Sequence, residues 1–172
     1  QIWTFLSAGI DVLEEVAKFR AARRVWAKLM RERYGAQNPE TMKLKIFAYT
    51  LGGNLVAQQP LHNIARVALE TLAAALGGVQ TIATSSYDEA YAIPTQEAAT
   101  IALRTQQIVA NEAGITGTTD ALGGSYAIES LTDSMEIEVN QYLEKIEALG
   151  GAVKCIENGY YHRELSDAAY SY

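Results

Sequence analysis

Strand-like and helix-like patterns of hydrophobic and polar residues alternate along the chain. Residues 2–6 are β-branched and aromatic, which predicts a strand. Residues 11–34 predict a helix because their apolar side chains recur at helical spacing, at Val12, Val16, Phe19, Ala22, Trp26, Leu29 and Met30. Asp11 and Glu14 have the spacing of a capping box, so we expect this helix to begin there.

The same alternation then repeats twice. Residues 43–50 predict a second strand, and residues 61–76, rich in Ala and Leu, predict a second helix that stops at Gly77 and Gly78. Residues 79–84 predict a third strand, and residues 94–113 a third helix. Three strand-then-helix units in a row indicate an α/β protein with parallel strands and right-handed crossovers.

The rest of the chain predicts a loop followed by helices. Residues 115–130 are rich in Gly and Thr and predict the loop. Residues 133–149 and 152–157 predict two helices separated by Gly150 and Gly151, and a last helical piece follows Gly159.

Composition limits the size of the core and the class of partner. With 172 residues, 49% of them hydrophobic, the chain has enough apolar surface for one sizeable core. The net charge of -6 argues against sequence-independent binding to nucleic acid. A basic cluster stands out in the first helix, but acidic residues are interleaved with it, which favours a solvated helix face; its members are Arg20, Arg23, Arg24, Lys28, Arg31 and Arg33.

Cysteine usage and hydropathy point to a reducing, aqueous environment. A lone cysteine, Cys155, has no partner for an internal disulfide, and its apolar neighbours predict a small buried side chain. No apolar run is long enough to span a bilayer, so no membrane partner is expected. We expect a soluble, cytoplasmic protein.

Binding groups in parallel α/β proteins gather where the strands end. The carboxyl ends of the three predicted strands are followed by residues 7–9, 48–54 and 85–89, which are polar or contain Gly. We expect these segments to converge on one face. His62 and His162 have no Cys or acidic partner at metal-ligand spacing, so no metal site is predicted in the chain.

One stretch, residues 79–126, combines several uncommon features at fixed spacing. A strand ends in the polar residues 81–86, then Asp88-Glu89-Ala90 turns the chain, and Pro94-Thr95 opens a helix. This arrangement resembles the substrate barrel of the cobalamin-dependent acyl-CoA mutases, the methylmalonyl-CoA and isobutyryl-CoA mutase family. The resemblance extends to residues 19–28 (FRAARRVWAK) and 58–66 (QQPLHNIAR), and so covers nearly the whole chain.

The resemblance implies a fold that extends beyond these residues. Residues 1–130 look like the last three βα units of a (β/α)8 TIM-type barrel, and residues 131–172 like a C-terminal helical extension packed on it. A partial barrel leaves sheet edges unpaired and half its core uncovered. We therefore expect the remainder of the barrel, or self-association, to complete it.

The resemblance also implies an activity and a cofactor. In this family, homolysis of adenosylcobalamin yields an adenosyl radical that abstracts hydrogen from an acyl-CoA and initiates a 1,2-shift of its carbon skeleton. The D-x-H-x-x-G motif, whose His ligates cobalt in the family, is absent from the chain. A cobalamin-binding domain or subunit would have to supply that ligand, so we expect this chain alone to be inactive.

Several residues match family positions near the cofactor or CoA. Gly52 matches a Gly against the corrin ring, although a Gly that only permits a turn is an equal alternative. Glu89 matches a carboxylate near the ribose, which could otherwise be an ordinary loop carboxylate. Ile93 matches an apolar neighbour of the corrin, and Gln80 a Gln near the CoA and adenosyl groups.

Other positions depart from the family pattern. Phe47 and Tyr49 stand where the family usually has His and Gln, and Ser85 where it has Asn beside the cofactor. Gln1 and Trp3 align with the Arg and Ser that grip CoA, and Gln lacks the bidentate phosphate contact of Arg. These substitutions fit a substrate site remodelled for a bulkier or less polar acyl group. They also fit a non-catalytic structural or assembly subunit with a mutase-like barrel. The remodelled substrate site is favoured because Gly52, Gln80, Asp88-Glu89-Ala90 and Pro94-Thr95 persist together.

Overall fold

The computed structural model describes residues 2–171, and its centre is a three-stranded parallel sheet. The strands lie in the order β1 (Trp3–Ala8), β2 (Lys45–Thr50) and β3 (Thr81–Ala83). Ala8 lies opposite Thr50, and β3 runs in the same direction along the other side of β2. The predicted α/β class with parallel strands is confirmed, and the carboxyl ends of all three strands meet at one edge.

Helices follow each strand and continue to the end of the described chain. They are α1 (Val12–Lys28), α2 (His62–Leu76), α3 (Gln96–Asn111), α4 (Tyr126–Ala148), α5 (Ala152–Glu157) and α6 (Tyr160–Ser171). Asp11 caps α1 as expected, because its carboxylate accepts the Glu14 N–H at 3.1 Å. Thr95 caps α3 in the same way, accepting from the Ala98 N–H at 3.2 Å.

The two faces of the sheet have different surroundings. On β2, burial alternates strictly, so that Ile46 and Ala48 face the core while Phe47 and Tyr49 lie on the opposite face. Phe19 of α1 and Ala74 of α2 pack against the core face. Gly77 makes this packing possible, because a Cβ on it would lie 2.6 Å from Cδ2 of Phe19. Thus α1 and α2 cover one face of the sheet, whereas the aromatic side chains of Trp3 and Phe5 on the other face are more than half exposed.

Several predicted boundaries were wrong by a few residues. β1 extends to Ala8 because its backbone pairs with β2 as far as Thr50, so Ser7 and Ala8 belong to the strand rather than to the loop after it. Regular α-helix ends at Lys28, and a π-helical turn, Leu29–Arg33, follows it. A 3-10 helix, Pro39–Met42, delays the start of β2 to Lys45.

The predicted loop over residues 115–130 is shorter than expected. It contains a 3-10 turn, Ile115–Gly117, and α4 begins already at Tyr126. Glu129 stabilises this early start, since its carboxylate accepts the Gly124 N–H at 2.9 Å and pairs with Arg20 of α1 at 2.7 Å. A contact across 109 positions leaves no trace in the local pattern.

The same ion pair corrects the prediction of a fully solvated basic face on α1. Only 16% of the Arg20 side chain is exposed, and it pairs with both Asp120 and Glu129. Burial is also the main cause that lowers the pKa of Arg23. Arg31, beyond the α-helical part, is solvated as expected and pairs with Glu32. Arg20 is thus a mostly buried link between α1 and α4, whereas Arg24 and Arg31 form exposed ion pairs with Asp133 and Glu32.

The chain divides into two compact units, Gln1–Met135 and Glu136–Tyr172. The first contains the sheet with α1, α2 and α3. In the second, Lys145 of α4 pairs with Glu164 of α6 at 3.0 Å, and its Nζ lies 5.0 Å from the Tyr160 ring centroid. Cys155 is fully buried there, as its apolar context predicted.

Candidate functional site

The ends of β2 and β3 are joined by buried hydroxyl groups. The Thr50 hydroxyl accepts a hydrogen bond from the Ser85 N–H at 2.7 Å, and the Ser85 hydroxyl donates to the Thr50 carbonyl at 3.2 Å. Both side chains are almost fully buried, so the geometry of this edge is well defined. In this chain the Ser85 hydroxyl bonds Thr50, and its assignment as a cofactor contact stays a prediction.

Beyond Ser85, the carboxylate of Glu89 is held from two directions. Its Oε1 accepts the Ser86 N–H at 2.6 Å, and its Oε2 accepts the Tyr49 hydroxyl at 3.3 Å. Burial, followed by the negative charge of Glu89, raises the pKa of Tyr49. The phenol therefore stays protonated at neutral pH and can donate its hydrogen bond to Glu89.

The Asp88-Glu89-Ala90 segment is a structured turn. Asp88 is buried, and its Oδ2 accepts the Thr95 N–H at 2.9 Å, which ties the turn to the start of α3. Asn63 of α2 holds the other side, donating to the Tyr87 carbonyl at 2.9 Å. Glu89 is thus presented by a fixed backbone.

Gly52 and Ile93 lie on loops that follow β2 and β3. Gly52 begins the 3-10 turn Gly52–Asn54, and a Cβ built on it would meet no atom within 4 Å. The side chain of Ile93 is 90% exposed. Both positions are thus open to solvent, and their assignment as cofactor contacts stays a prediction.

The open face of the sheet carries a row of aromatic side chains. Phe5 and Phe47 lie opposite each other in the register and make an edge-to-face contact with ring centroids 5.1 Å apart. The ring centroids of Phe5 and Tyr49 are 6.4 Å apart. At the amino end of the row, the Lys45 Nζ lies 5.5 Å from the Trp3 ring centroid. Gln1, predicted beside Trp3, lies outside the described residues.

Gln80 lies apart from the residues at the carboxyl edge. It precedes β3, and its Oε1 accepts the Ile46 N–H at 2.7 Å while its Nε2 donates to the Gly78 carbonyl at 3.3 Å. Because Ile46 is near the start of β2, Gln80 belongs to the amino end of the sheet. The structure brings together Tyr49, Ser85 and Glu89, but Gln80 is not among them.

Sequence analysis did not single out two buried polar groups that support this edge. Thr50 joins the strand ends, and Glu70 of α2 accepts the Asn54 amide at 2.7 Å at the end of the turn that carries Gly52. A signal for Glu70 was present, because it falls on the same helical stripe as Val67 and Ala74, where core residues are expected.

Metal and membrane sites receive no support from the described residues. His62 and His162 are both exposed, and residues 2–171 contain no group of three or more His, Cys, Asp or Glu side chains arranged to hold a metal ion. No helix within the same residues combines the length and apolar character that a bilayer span requires.

Comparison with known proteins shows to which family the chain belongs. A family model described as methylmalonyl-CoA mutase matches residues 1–172. The chain belongs to the methylmalonyl-CoA mutase family. It is 48% identical over 166 residues to the 2-hydroxyisobutanoyl-CoA mutase large subunit of Aquincola tertiaricarbonis. The aligned region covers 96% of this chain and 29% of that protein.

Two further members of the methylmalonyl-CoA mutase family show the same partial coverage. Methylmalonyl-CoA mutase of Escherichia coli is 39% identical over 165 residues, covering 96% of this chain and 23% of that protein. The mitochondrial methylmalonyl-CoA mutase of Homo sapiens is 38% identical over 155 residues, covering 90% of this chain and 21% of that protein. The chain thus spans less than a third of the length of these curated relatives.

Proposed function

We propose that this chain is the C-terminal part of the substrate barrel of an adenosylcobalamin-dependent acyl-CoA mutase, an intramolecular transferase that isomerises the carbon skeleton of its substrate. The single observation that carries the proposal is the asymmetry of the sheet. Helices cover one face, and the opposite face presents Phe5, Phe47 and Tyr49 within the described residues. In a closed barrel the helix-free face lines the interior.

The proposal assigns residues 1–130 to the last three βα units of a (β/α)8 barrel and residues 131–172 to a helical extension. Order and direction of the strands support it, since β1, β2 and β3 are parallel and adjacent in chain order. The outer edges of β1 and β3 would pair with the remainder of the barrel. That remainder, or self-association, is the partner this segment requires.

Gly52, Ser85, Glu89 and Ile93 would face the cofactor at the carboxyl edge. The open space above Gly52 would admit the corrin, and the fixed carboxylate of Glu89 would accept hydrogen bonds from ribose hydroxyls. Adenosylcobalamin, when bound, supplies the carbon radical that initiates rearrangement. The chain's own contribution would be to orient the groups and to exclude water. The cobalt ligand would come from another domain or subunit.

The acyl-CoA would lie against the aromatic face. Phe47 and Tyr49 give this face a largely apolar ring surface, and Phe47 has no hydrogen-bonding group. We assign them to the acyl group, which favours a bulkier or less polar acyl chain than methylmalonyl. Trp3 and Gln80 belong to the amino end of the sheet, where the rest of the CoA would lie, and we assign Gln1, which lies outside the described residues, to the same part of the substrate.

The absence of a polar group on Phe47 also favours a second function. A barrel that has lost its catalytic side chains would persist as a structural or assembly subunit. The two functions differ in turnover, and they also differ at Gly52, because a scaffold has no need for a corrin to approach its backbone.

A chimera tests both turnover and the role of Gly52 in cofactor binding. The chain would replace the matching segment of the 2-hydroxyisobutanoyl-CoA mutase large subunit, and adenosylcobalamin binding by the reconstituted complex would be titrated by absorbance. Gly52→Leu should weaken binding by about tenfold or more, because a side chain would occupy the space for the ring. Gly117→Leu is the matched control, since Gly117 also has nothing within 4 Å of a built Cβ. Equal affinities of the two variants would contradict the cofactor assignment.

A further inference from the structure

Glu70 is a carboxylic acid in an apolar stripe of α2. Its residue surface is 0% exposed, and its Oε1 accepts the Asn54 Nδ2–H at 2.7 Å. Its Oε2 is buried and has no hydrogen-bond partner among residues 2–171. A buried carboxylate with one donor is costly, because water and further donors are missing.

The charged groups around Glu70 do not relieve this cost. Glu15 of α1 faces it and adds a like charge, and Lys18 is committed to Glu15 and to the Ser7 carbonyl at 2.8 Å. On α2 itself, Arg66 donates to Asn63 and Gln59. The buried side chains of the three strands and of α3 include no ionisable group; they are Ala8, Ile46, Ala48, Thr50, Ala98, Ala102, Thr105 and Val109.

These surroundings favour the neutral acid. Burial is the largest cause and the like charge of Glu15 adds to it, and the pKa of Glu70 is raised to about 7. The Asn54 amide and the backbone N–H of Leu51, which donates to the Ala8 carbonyl, act in the opposite direction.

Asn54 connects this carboxyl to the turn that carries Gly52. The turn is closed by two backbone hydrogen bonds, from Asn54 N–H to the Leu51 carbonyl at 3.0 Å and from Leu55 N–H to the Gly52 carbonyl at 3.1 Å. Its end is attached to α2 through the Asn54 side chain and Glu70. A change at Glu70 therefore reaches Gly52 through one side chain and three residues of backbone.

We propose that Glu70 is a positioning residue whose buried carboxyl, bonded to Asn54, allows the turn Gly52–Asn54 to stay closed while it is protonated; when it ionises, the cost of a buried charge at the unpartnered Oε2 exceeds the gain from a stronger Asn54 bond, and the turn opens. An ionised Glu70 needs more donors than Asn54 supplies, and opening of the turn admits water to Oε2. The proposal rests on the proposed function only for the role of Gly52 beside the corrin.

Amide hydrogen exchange of the full chain, measured by NMR at pH 6 and pH 8, tests it. The readouts are the Asn54 and Leu55 N–H groups, corrected for the intrinsic effect of pH on exchange. The Glu70 pKa is about 7 in the closed turn and is taken as the ordinary 4.5 in the open turn. Between pH 6 and pH 8 this difference shifts the opening equilibrium, so the protection of these two N–H groups should fall by about tenfold. The Tyr91 N–H, in the turn closed by Asp88, should keep its protection.

Glu70→Gln removes the ionisation and should make the protection of the turn independent of pH. Glu14→Gln, at an exposed site on α1, is the matched control and should behave as the unmodified chain does. An unchanged protection of Asn54 and Leu55 in the unmodified chain, or the same pH response in Glu70→Gln, would overturn the proposal.

A second measurement needs no variant. The side-chain carboxyl carbon of Glu70 should titrate with a midpoint near 7, coincident with the change in exchange, and a midpoint near 4.5 would contradict the proposal. Neither measurement involves cobalamin or CoA, so failure here leaves the proposed function standing, and failure of cobalamin binding leaves this inference standing.

Discussion

The Tyr49 hydroxyl donates a hydrogen bond to Glu89 Oε2 across 3.3 Å. Tyr49 belongs to the aromatic face of β2, whereas Glu89 belongs to the turn after β3, so the bond joins the proposed acyl and cofactor regions. The Ser86 N–H fixes the other carboxylate oxygen at 2.6 Å. A substitution at Tyr49 therefore alters two parts of the site at once.

Ionisation of Tyr49 tests this pair. Its pKa is raised above 10.0, first by burial and then by the charge of Glu89. Glu89→Gln should lower the Tyr49 pKa towards 10 but not below it, because burial remains. NMR titration of the Tyr49 ring carbon measures the change. An unchanged midpoint would mean that the two groups do not interact in solution.

Phe47→His together with Tyr49→Gln should change substrate choice in the chimera. Both polar groups that the family usually places there would return, so turnover of methylmalonyl-CoA should rise by about tenfold or more relative to the unmodified chimera. Steady-state assays with several acyl-CoA thioesters measure the change in kcat/KM. Tyr126→Gln, at a side chain that is 96% exposed, is the control and should have no effect.

If the double variant gains no methylmalonyl-CoA turnover while the unmodified chimera isomerises other acyl-CoA substrates, Phe47 and Tyr49 do not select the acyl group. If the double variant loses all turnover while the unmodified chimera stays active, the idea that Phe47 and Tyr49 replaced polar groups in an otherwise active site would be contradicted.

Arg20 should be more important for stability than its position in a basic cluster indicates. Arg20→Ala leaves the carboxylates of Asp120 and Glu129 without their common partner and should lower the free energy of unfolding by about 2 kcal/mol, because both carboxylates stay partly solvated. Arg31→Ala removes an exposed pair with Glu32 and should cost about 0.5 kcal/mol or less. Urea denaturation compares them, and equal losses would show that Arg20 is not a structural anchor.

Glu70 also predicts how stability depends on pH. Because its pKa is raised from 4.5 to about 7, the folded state binds more protons than the unfolded state between these values. Its favourable contribution is fully present below pH 4.5 and is lost as the pH rises through 7. Urea denaturation between pH 5 and pH 8 should show this decline in the unmodified chain and a flatter profile in Glu70→Gln. Parallel profiles would exclude an elevated Glu70 pKa.

Local patterns predicted much of the fold because short-range physics determines it. The sequence pattern predicted a strand over residues 43–50, close to the observed β2, and the Asp11 side chain caps α1 as its spacing predicted. The early start of α4 depends on Glu129 and Arg20, which are far apart in sequence. Burial of Arg20 has the same origin, and no local window contains that contact.

Prediction of the candidate site was similarly divided. The strand-end rule selected residues 48–54 and 85–89, and the structure joins them through Thr50 and Ser85. It gave no reason to separate Gln80 from them, because the side chain's bonds to Ile46 and Gly78 appear only when the strands are paired. The importance of Glu70 likewise depends on the turn folding over α2.

Turnover by the chimera with adenosylcobalamin tests the central claim most directly. The claim is that the helix-free aromatic face of β1 and β2 forms part of the wall of a working acyl-CoA mutase. The expected result is cofactor-dependent isomerisation of at least one acyl-CoA, with activity reduced in Gly52→Leu and retained in Gly117→Leu. A folded, fully assembled chimera that isomerises none of the acyl-CoA substrates would contradict the claim and favour the scaffold function.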